Sequence, residues 1–221
     1  SWEAWHYRAF RFARVQITTG PEALTLEDLG LTFWAYPYAL RARFDSDDEF
    51  HAKLFSVAFH TMRMCSHEVV EDCPYYEQLQ YVGDTRIQTL LHYYLSRDRR
   101  LARNAVKQFS WSIMPNGLTQ SRYPSRVQQI IPPFSLFWVL MVSDQMVYDR
   151  INGDAHYWWD QSTRARKVCE AFQDIWDGVE PQHWCFMDWV DDWAMGVPPG
   201  GSTDSSTVSY THLTLPTNRE V

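Results

Sequence analysis

The chain has 221 residues and a formal net charge of −7, from 27 acidic and 20 basic side chains. That balance lacks the basic footprint that displaces counterions from phosphates, which excludes nucleic acid as a partner. Apolar residues make up 45% of the chain, enough for a sizeable core, and the aromatic share reaches 16%.

The 11 Trp, 12 Tyr and 12 Phe fill a helical core in the plainest reading, yet an excess of Trp and Tyr also suits a pocket that stacks sugar rings. The longest apolar run, Phe134 to Val142, is too short to cross a bilayer, so no membrane span is expected. The opening residues Ser1 to His6 do not form a basic stretch followed by an apolar one. A periplasmic or secreted location is expected over a cytoplasmic one. Cysteine usage does not decide it, because Cys65, Cys73, Cys169 and Cys185 show no CxxC spacing and read as free thiols.

From the N-terminus, Arg8 to Thr19 carries Phe10, Phe12, Val15 and Ile17 in near alternation, which predicts a strand with a bulge. Gly20-Pro21 marks a turn, and Leu29 to Leu40 predicts a second strand. Two or three strands cannot bury both their faces. Residues 1–42 are therefore expected to be the end of a β-sandwich domain. At Ser46 the pattern changes. Ser46-Asp47-Asp48-Glu49 reads as a capping box, and Phe50, Leu54, Val57, Ala58 and Cys65 recur at helical spacing.

A second helix is predicted from about Asp84, with Ile87, Leu90, Leu91, Tyr94 and Leu95 on one side. A third runs from about Asp98 to Trp111 and stops at Pro115-Asn116-Gly117. A long polar loop with Ser121-Arg122-Tyr123-Pro124 at its centre leads to a fourth helix opening at Pro132-Pro133. A fifth covers about Ala155 to Trp176 and precedes an aromatic loop from Glu180 to Gly201. Five helices joined by alternating short and long connections suit helical hairpins wrapped about an axis, with functional loops at one end. Val208 to Val221 has neither helical period nor aromatic continuity and resembles a translated sequencing adapter. It is set aside, and the chain, which starts without Met, is expected to be a fragment.

Between the first two helices lies Glu71-Asp72-Cys73-Pro74-Tyr75-Tyr76-Glu77-Gln78-Leu79-Gln80-Tyr81-Val82-Gly83-Asp84. Asp72, Glu77 and Asp84 fall there among tyrosines, a proline and a glycine, with no basic residue between positions 72 and 84. A solvated acidic face normally interleaves basic residues. Carboxylates surrounded by aromatics instead suit glycosidic cleavage, where one acid holds a proton while its neighbours stay charged. The plain alternative is that Asp72 and Asp84 only cap helices. His60, His67, His92 and His183 lack metal-cage spacing, so neither metal nor cofactor is expected. The pair Asp191-Asp192 has no partner cluster that would make a diphosphate site.

The pattern Asp72-Cys73-Pro74-x-x-Glu77 followed by Gly83-Asp84 resembles the signature of bacterial α-L-rhamnosidases, glycoside hydrolase family 78. Trp184-x-Phe186-x-Asp188-Trp189 and Gly196 to Gly201 are similar to later motifs of that family, and Phe10-Arg11-Phe12 resembles the end of its preceding β-domain. The resemblance implies a mainly α chain, an incomplete (α/α)6 barrel over residues 43–207 preceded by the last strands of a β-sandwich. It implies inverting removal of terminal α-L-rhamnose, with a carbohydrate as partner. Glu77 would be the general acid, with Asp72 and Asp84 holding sugar hydroxyls and negative charge. Tyr76, Tyr81, Arg122, Tyr123, Trp184, Asp188 and Trp189 would contact substrate, although loop packing is an equal account of Trp184, Asp188 and Trp189. The general base of the family has no counterpart before the tail, so the fragment by itself is expected to be inactive. Tyr76 stands where the family often has an arginine, which leaves open a six-hairpin glycosidase of other specificity, and a non-catalytic carbohydrate-binding protein is the third reading.

Overall fold

Helix α4 (Pro132–Tyr148) begins PPFSLFWVLMV and is apolar around most of its circumference, as a helix must be when it is covered on several sides. Three others pack on it: α2 (Val82–Leu95), α3 (Arg100–Trp111) and α5 (Ala155–Asp174). The computed structural model describes residues 4, 6–149, 155–175, 184–201 and 203. The remaining helix, α1 (Glu49–Met64), precedes this group and buries only Met62 fully. Among the described residues a single 3-10 turn, Ala194–Gly196, lies in the loop after α5.

The core is built around α4. Phe134, Trp138, Met141 and Val142 meet Ala105, Val106 and Phe109 of α3, Ala165 and Val168 of α5, and Trp184 and Phe186 of the final loop. Each of the larger side chains among them, such as Phe134 or Val142, contributes roughly 1.5–3 kcal/mol by leaving water. Trp138 is wholly enclosed, and its indole N–H donates to the Val106 carbonyl at 3.0 Å, so its one polar atom is satisfied.

The five predicted helices are all present, with differences at their ends and faces. The N-cap of α1 is Asp48, whose carboxylate accepts from Phe50 N at 2.8 Å. Ser46 instead accepts from Asp48 N at 3.1 Å, one step ahead of the helix, so the N-cap lies two residues later than predicted. In α2 the buried face is Val82, Thr85, Thr89, His92 and Tyr93. Ile87 is 64% exposed, and Leu91 and Tyr94 are exposed with it. The Thr89 hydroxyl bonds back to the Arg86 carbonyl at 3.0 Å, which limits the cost of burying it.

The two strands expected within residues 1–42 do not form. Among the described residues there is no strand, only isolated bridges between Ser66 and Val70 and between Tyr81 and Arg122. Residues 7–42 are irregular and tied to the helices at a few points, such as Tyr36 N to the Ser66 carbonyl (2.7 Å) and Arg41 N to the Leu95 carbonyl (2.8 Å). A strand needs a neighbouring ladder and a second layer over its apolar face, and no described residue supplies either. Trp176, at the expected end of the fifth helix, and the tail from 208 to 221 lie outside the described residues.

Candidate active site

The acidic stretch folds as a closed loop between α1 and α2. Asp72 N donates to the Leu79 carbonyl at 2.9 Å, and Leu79 N donates back to Asp72 Oδ1 at 3.0 Å. Inside that clasp Gln78 adopts φ +53 and its amide donates to the Pro74 carbonyl at 2.9 Å, while Glu77 N points at Cys73 Sγ (3.4 Å). These contacts fix the turn on which Glu77 stands.

A second set of bonds straps the loop to residues 118–131. The buried Gln80 donates through Nε2 to Gln108 Oε1 and to the Tyr123 carbonyl, both at 2.7 Å. Tyr123 N donates to the Gln80 carbonyl at 3.1 Å, and Val82 N to the Ser121 carbonyl at 2.9 Å. The Phe134 ring of α4 packs against Gly83 so closely that a Cβ there would sit 3.1 Å from it. Asp84 follows in the first turn of α2, where the positive end of the helix favours a carboxylate.

These elements enclose a cleft of about 270 Å³. Asp72, Glu77, Asp84 and Asp188 line it, with Tyr81 and Trp189 beside them and Phe134, Phe137 and Phe186 as an apolar wall. Arg86 also lines it, with Nε held on Asp144 Oδ2 at 3.1 Å. Burial pushes the Asp84 carboxyl up to about 6, opposed by its own backbone N–H and reinforced by the charges of Asp72, Asp188 and Glu77. Burial also raises Asp72, against the hydrogen bond from Leu79 N. Burial, with the charge of Glu77 beside it, raises Tyr81. Glu77 Oε2 is buried without a hydrogen-bond partner. The cleft thus offers one unoccupied carboxyl oxygen, carboxyl groups suited to sugar hydroxyls, and aromatic faces suited to a ring.

Six of the residues singled out from the sequence meet at this cleft: Asp72, Glu77, Asp84, Tyr81, Asp188 and Trp189. Four do not line it. Tyr76 is 79% exposed and pairs edge-on with Tyr75, ring centroids 5.0 Å apart. Trp184 is 1% exposed, its indole N–H donating to the Met195 carbonyl at 3.0 Å, and packs in the core. Tyr123 packs against the same core. Arg122 is 4% exposed and stands behind Tyr81, donating through Nη1 to the phenol oxygen at 2.9 Å. Phe134, Phe137, Phe186 and Arg86 line the cleft as well, and no sequence motif gives them a site role. The available signal was position: Phe134 and Phe137 lie in the first two turns of α4, and Phe134 packs against Gly83. No group of three or more His, Cys, Asp or Glu side chains among the described residues is arranged to hold a metal ion.

The profile of the bacterial α-L-rhamnosidase six-hairpin glycosidase domain matches residues 41–218. The chain belongs to this family. Its matched span runs into the stretch from 208 that resembles an adapter. No curated protein matches the chain. Among solved structures, the family 78 rhamnosidase of Bacillus sp. GL1 is similar with a TM-score of 0.58 and 23% identity, over 70% of this chain and 16% of that one. The rhamnosidase from Klebsiella oxytoca, solved with rhamnose bound, is similar with a TM-score of 0.60 and 21% identity, over 73% of this chain and 32% of its own. At these identities the likeness is one of fold, a partial six-hairpin α/α barrel. The chain spans less than a third of either structure's length.

Proposed function

We propose that this chain is the first part of the catalytic domain of a glycoside hydrolase that removes terminal α-L-rhamnose by an inverting acid/base mechanism. Glu77 is the general acid. A proton leaves its carboxyl for the glycosidic oxygen as the bond to the anomeric carbon breaks and positive charge spreads over the sugar ring. Asp72 and Asp84 hold sugar hydroxyls and set negative charge near that ring, and Trp189 offers a face on which it rests. The observation that carries this reading is the unpartnered Glu77 Oε2 in a cleft shared with three further carboxyl groups.

An inverting enzyme needs a second carboxylate across the ring, with space for a water between. In this reading that base is a glutamate later in the barrel than residue 207, and the 221-residue chain alone is not expected to turn over substrate. The test compares full-length wild type with Glu77→Gln on an aryl α-L-rhamnoside. Turnover is expected to fall by about 10²–10⁴-fold, the usual worth of a positioned acid. Equal turnover in both would sink the assignment. A panel of aryl glycosides of fucose, mannose and glucuronic acid separates this reading from another specificity, which Tyr76 in place of an arginine leaves open. Sugar binding that survives in Glu77→Gln, with no hydrolysis by the intact protein, would decide for a binding module.

A further inference from the structure

We propose that His6 and Tyr7, from the irregular segment before α1, are positioning residues that clamp the acid loop at both ends and so hold Glu77 at the glycosidic oxygen. This rests on the glycosidase reading of the cleft and adds to it two side chains that do not line it.

The two contacts bracket the acids. The Tyr7 hydroxyl donates to Glu71 Oε2, and Glu71 immediately precedes Asp72. His6 Nε2 lies 3.0 Å from Gln78 Oε1, and Gln78 immediately follows Glu77. An amide oxygen only accepts, so this ring nitrogen carries the proton and donates. Asp72 and Glu77, which both line the cleft, stand between two residues held from outside the loop.

Each end has a physical need for its partner. Glu71 is 5% exposed, and a buried carboxyl left without a donor is costly. Among the described residues Tyr7 is the hydrogen-bond donor to that carboxyl, and His67 Nδ1 stands 3.2 Å from the same oxygen. The Tyr7 ring is itself placed. It stacks on His67, with centroids 4.1 Å apart and planes at 21°, and meets Trp34 edge-on at 6.1 Å. Gln78 holds φ +53, a conformation that a residue with a Cβ keeps only when its surroundings hold it there. Both ends of its amide are engaged, Nε2 on the Pro74 carbonyl at 2.9 Å and Oε1 on His6. The tie at Glu71 is the stronger, because it is partly buried and made to a carboxyl, whereas the tie at Gln78 is exposed.

The turn that carries Glu77 is otherwise bonded within itself, from Gln78 to Pro74 and from Glu77 N to Cys73 Sγ. A tie from outside therefore decides where that turn sits. A general acid works only within hydrogen-bond reach of the leaving oxygen, and a displacement of about 1 Å costs up to about 100-fold in rate.

Hydrogen exchange tests the clamp in the 221-residue chain. In Tyr7→Phe, which keeps the ring and loses the donated proton, the amides of residues 71–80 are expected to exchange about 10-fold faster. Those of α4 are expected to keep their wild-type rates. No change in residues 71–80, or an equal rise in α4, overturns the clamp.

Kinetics of the full-length enzyme test what the clamp is for. An activated leaving group departs with little help from a proton, whereas an alkoxide needs it. Tyr7→Phe is expected to lower kcat about 10-fold on methyl α-L-rhamnoside and less than about threefold on the dinitrophenyl glycoside. Equal losses on the two substrates sink the positioning role and leave the glycosidase reading standing. At the other end, His6→Ala is expected to lose about threefold on the methyl glycoside, and His6→Gln, which restores an N–H donor, to recover it. No loss in His6→Ala, or a loss that His6→Gln does not restore, overturns the tie at Gln78. A wild type that hydrolyses neither glycoside, with the exchange result as expected, sinks the reading of the cleft and the clamp's catalytic role with it.

Discussion

Asp84 is held in a place that costs it part of its charge. Burial moves its carboxyl from 3.8 to about 6, so the folded chain binds this proton more tightly than the unfolded chain. Stability therefore falls as pH rises from about 4 to about 6, and the whole of that loss, at most about 3 kcal/mol, is present at neutral pH. Asp84→Asn removes the titration. Relative to wild type, the variant is expected to gain about 1–3 kcal/mol between pH 4 and pH 7.5 in urea denaturation, an outcome opposite to that for a carboxylate serving as a helix cap. A gap that is constant across this range would show that burial does not strain Asp84. A stability gain alongside a loss of activity is the pattern expected where a buried charge is kept for function.

The aromatic loop after α5 shows how one backbone position shapes a cleft wall. Gly196 has φ +69, and a Cβ there would lie 2.3 Å from Phe186 Cε2 and 2.9 Å from the Asp188 carbonyl. Its own carbonyl accepts from Met187 N at 3.0 Å, which folds the loop back and presents Phe186 and Asp188 to the cleft. Gly196→Ala is expected to lower the melting temperature by more than about 4 °C, since strain and displaced packing together cost about 2–4 kcal/mol. Gly200→Ala is the control: φ +86 gives it the backbone strain, with nothing near the added Cβ. Equal effects from the two substitutions would show that contact with Phe186 contributes nothing. Such placement is what the sequence conveys least. Helical spacing announced α1 to α5, and the absence of basic residues between 72 and 84 marked the acid loop, because both signals are local. The buried face of α2 runs through Val82, Thr85, Thr89, His92 and Tyr93 while the large apolar Ile87, Leu91 and Tyr94 stay exposed, a choice of face that helical spacing alone does not make. The seat of Arg122 behind Tyr81 depends on long-range bonds such as those from Gln80 to Tyr123 and Gln108, for which no spacing rule exists.

Across the molecule, the same helices that seal the cleft leave large apolar surfaces uncovered. Phe12 is 91% exposed, with Phe10, Leu31 and Phe33 also exposed before α1. Phe50, Leu54 and Val57 line one side of α1, and Ile87 and Tyr94 project from α2. Exposed large apolar side chains in this number favour association, and irregular segments add a template for strand pairing. The 221-residue chain is therefore expected to self-associate at micromolar concentration and to bind a hydrophobic dye such as ANS, measured by sedimentation velocity and fluorescence. Charged substitutions at Phe12 and Leu31, remote from the core around α4, are expected to reduce association while leaving helical circular dichroism unchanged. A monomer without dye binding would show that these surfaces are covered by a rearrangement of residues 7–42. Loss of helix signal in the charged variants would show instead that the irregular segment supports the helices, and that its few bonds to Ser66 and Leu95 carry more of the fold than their number suggests.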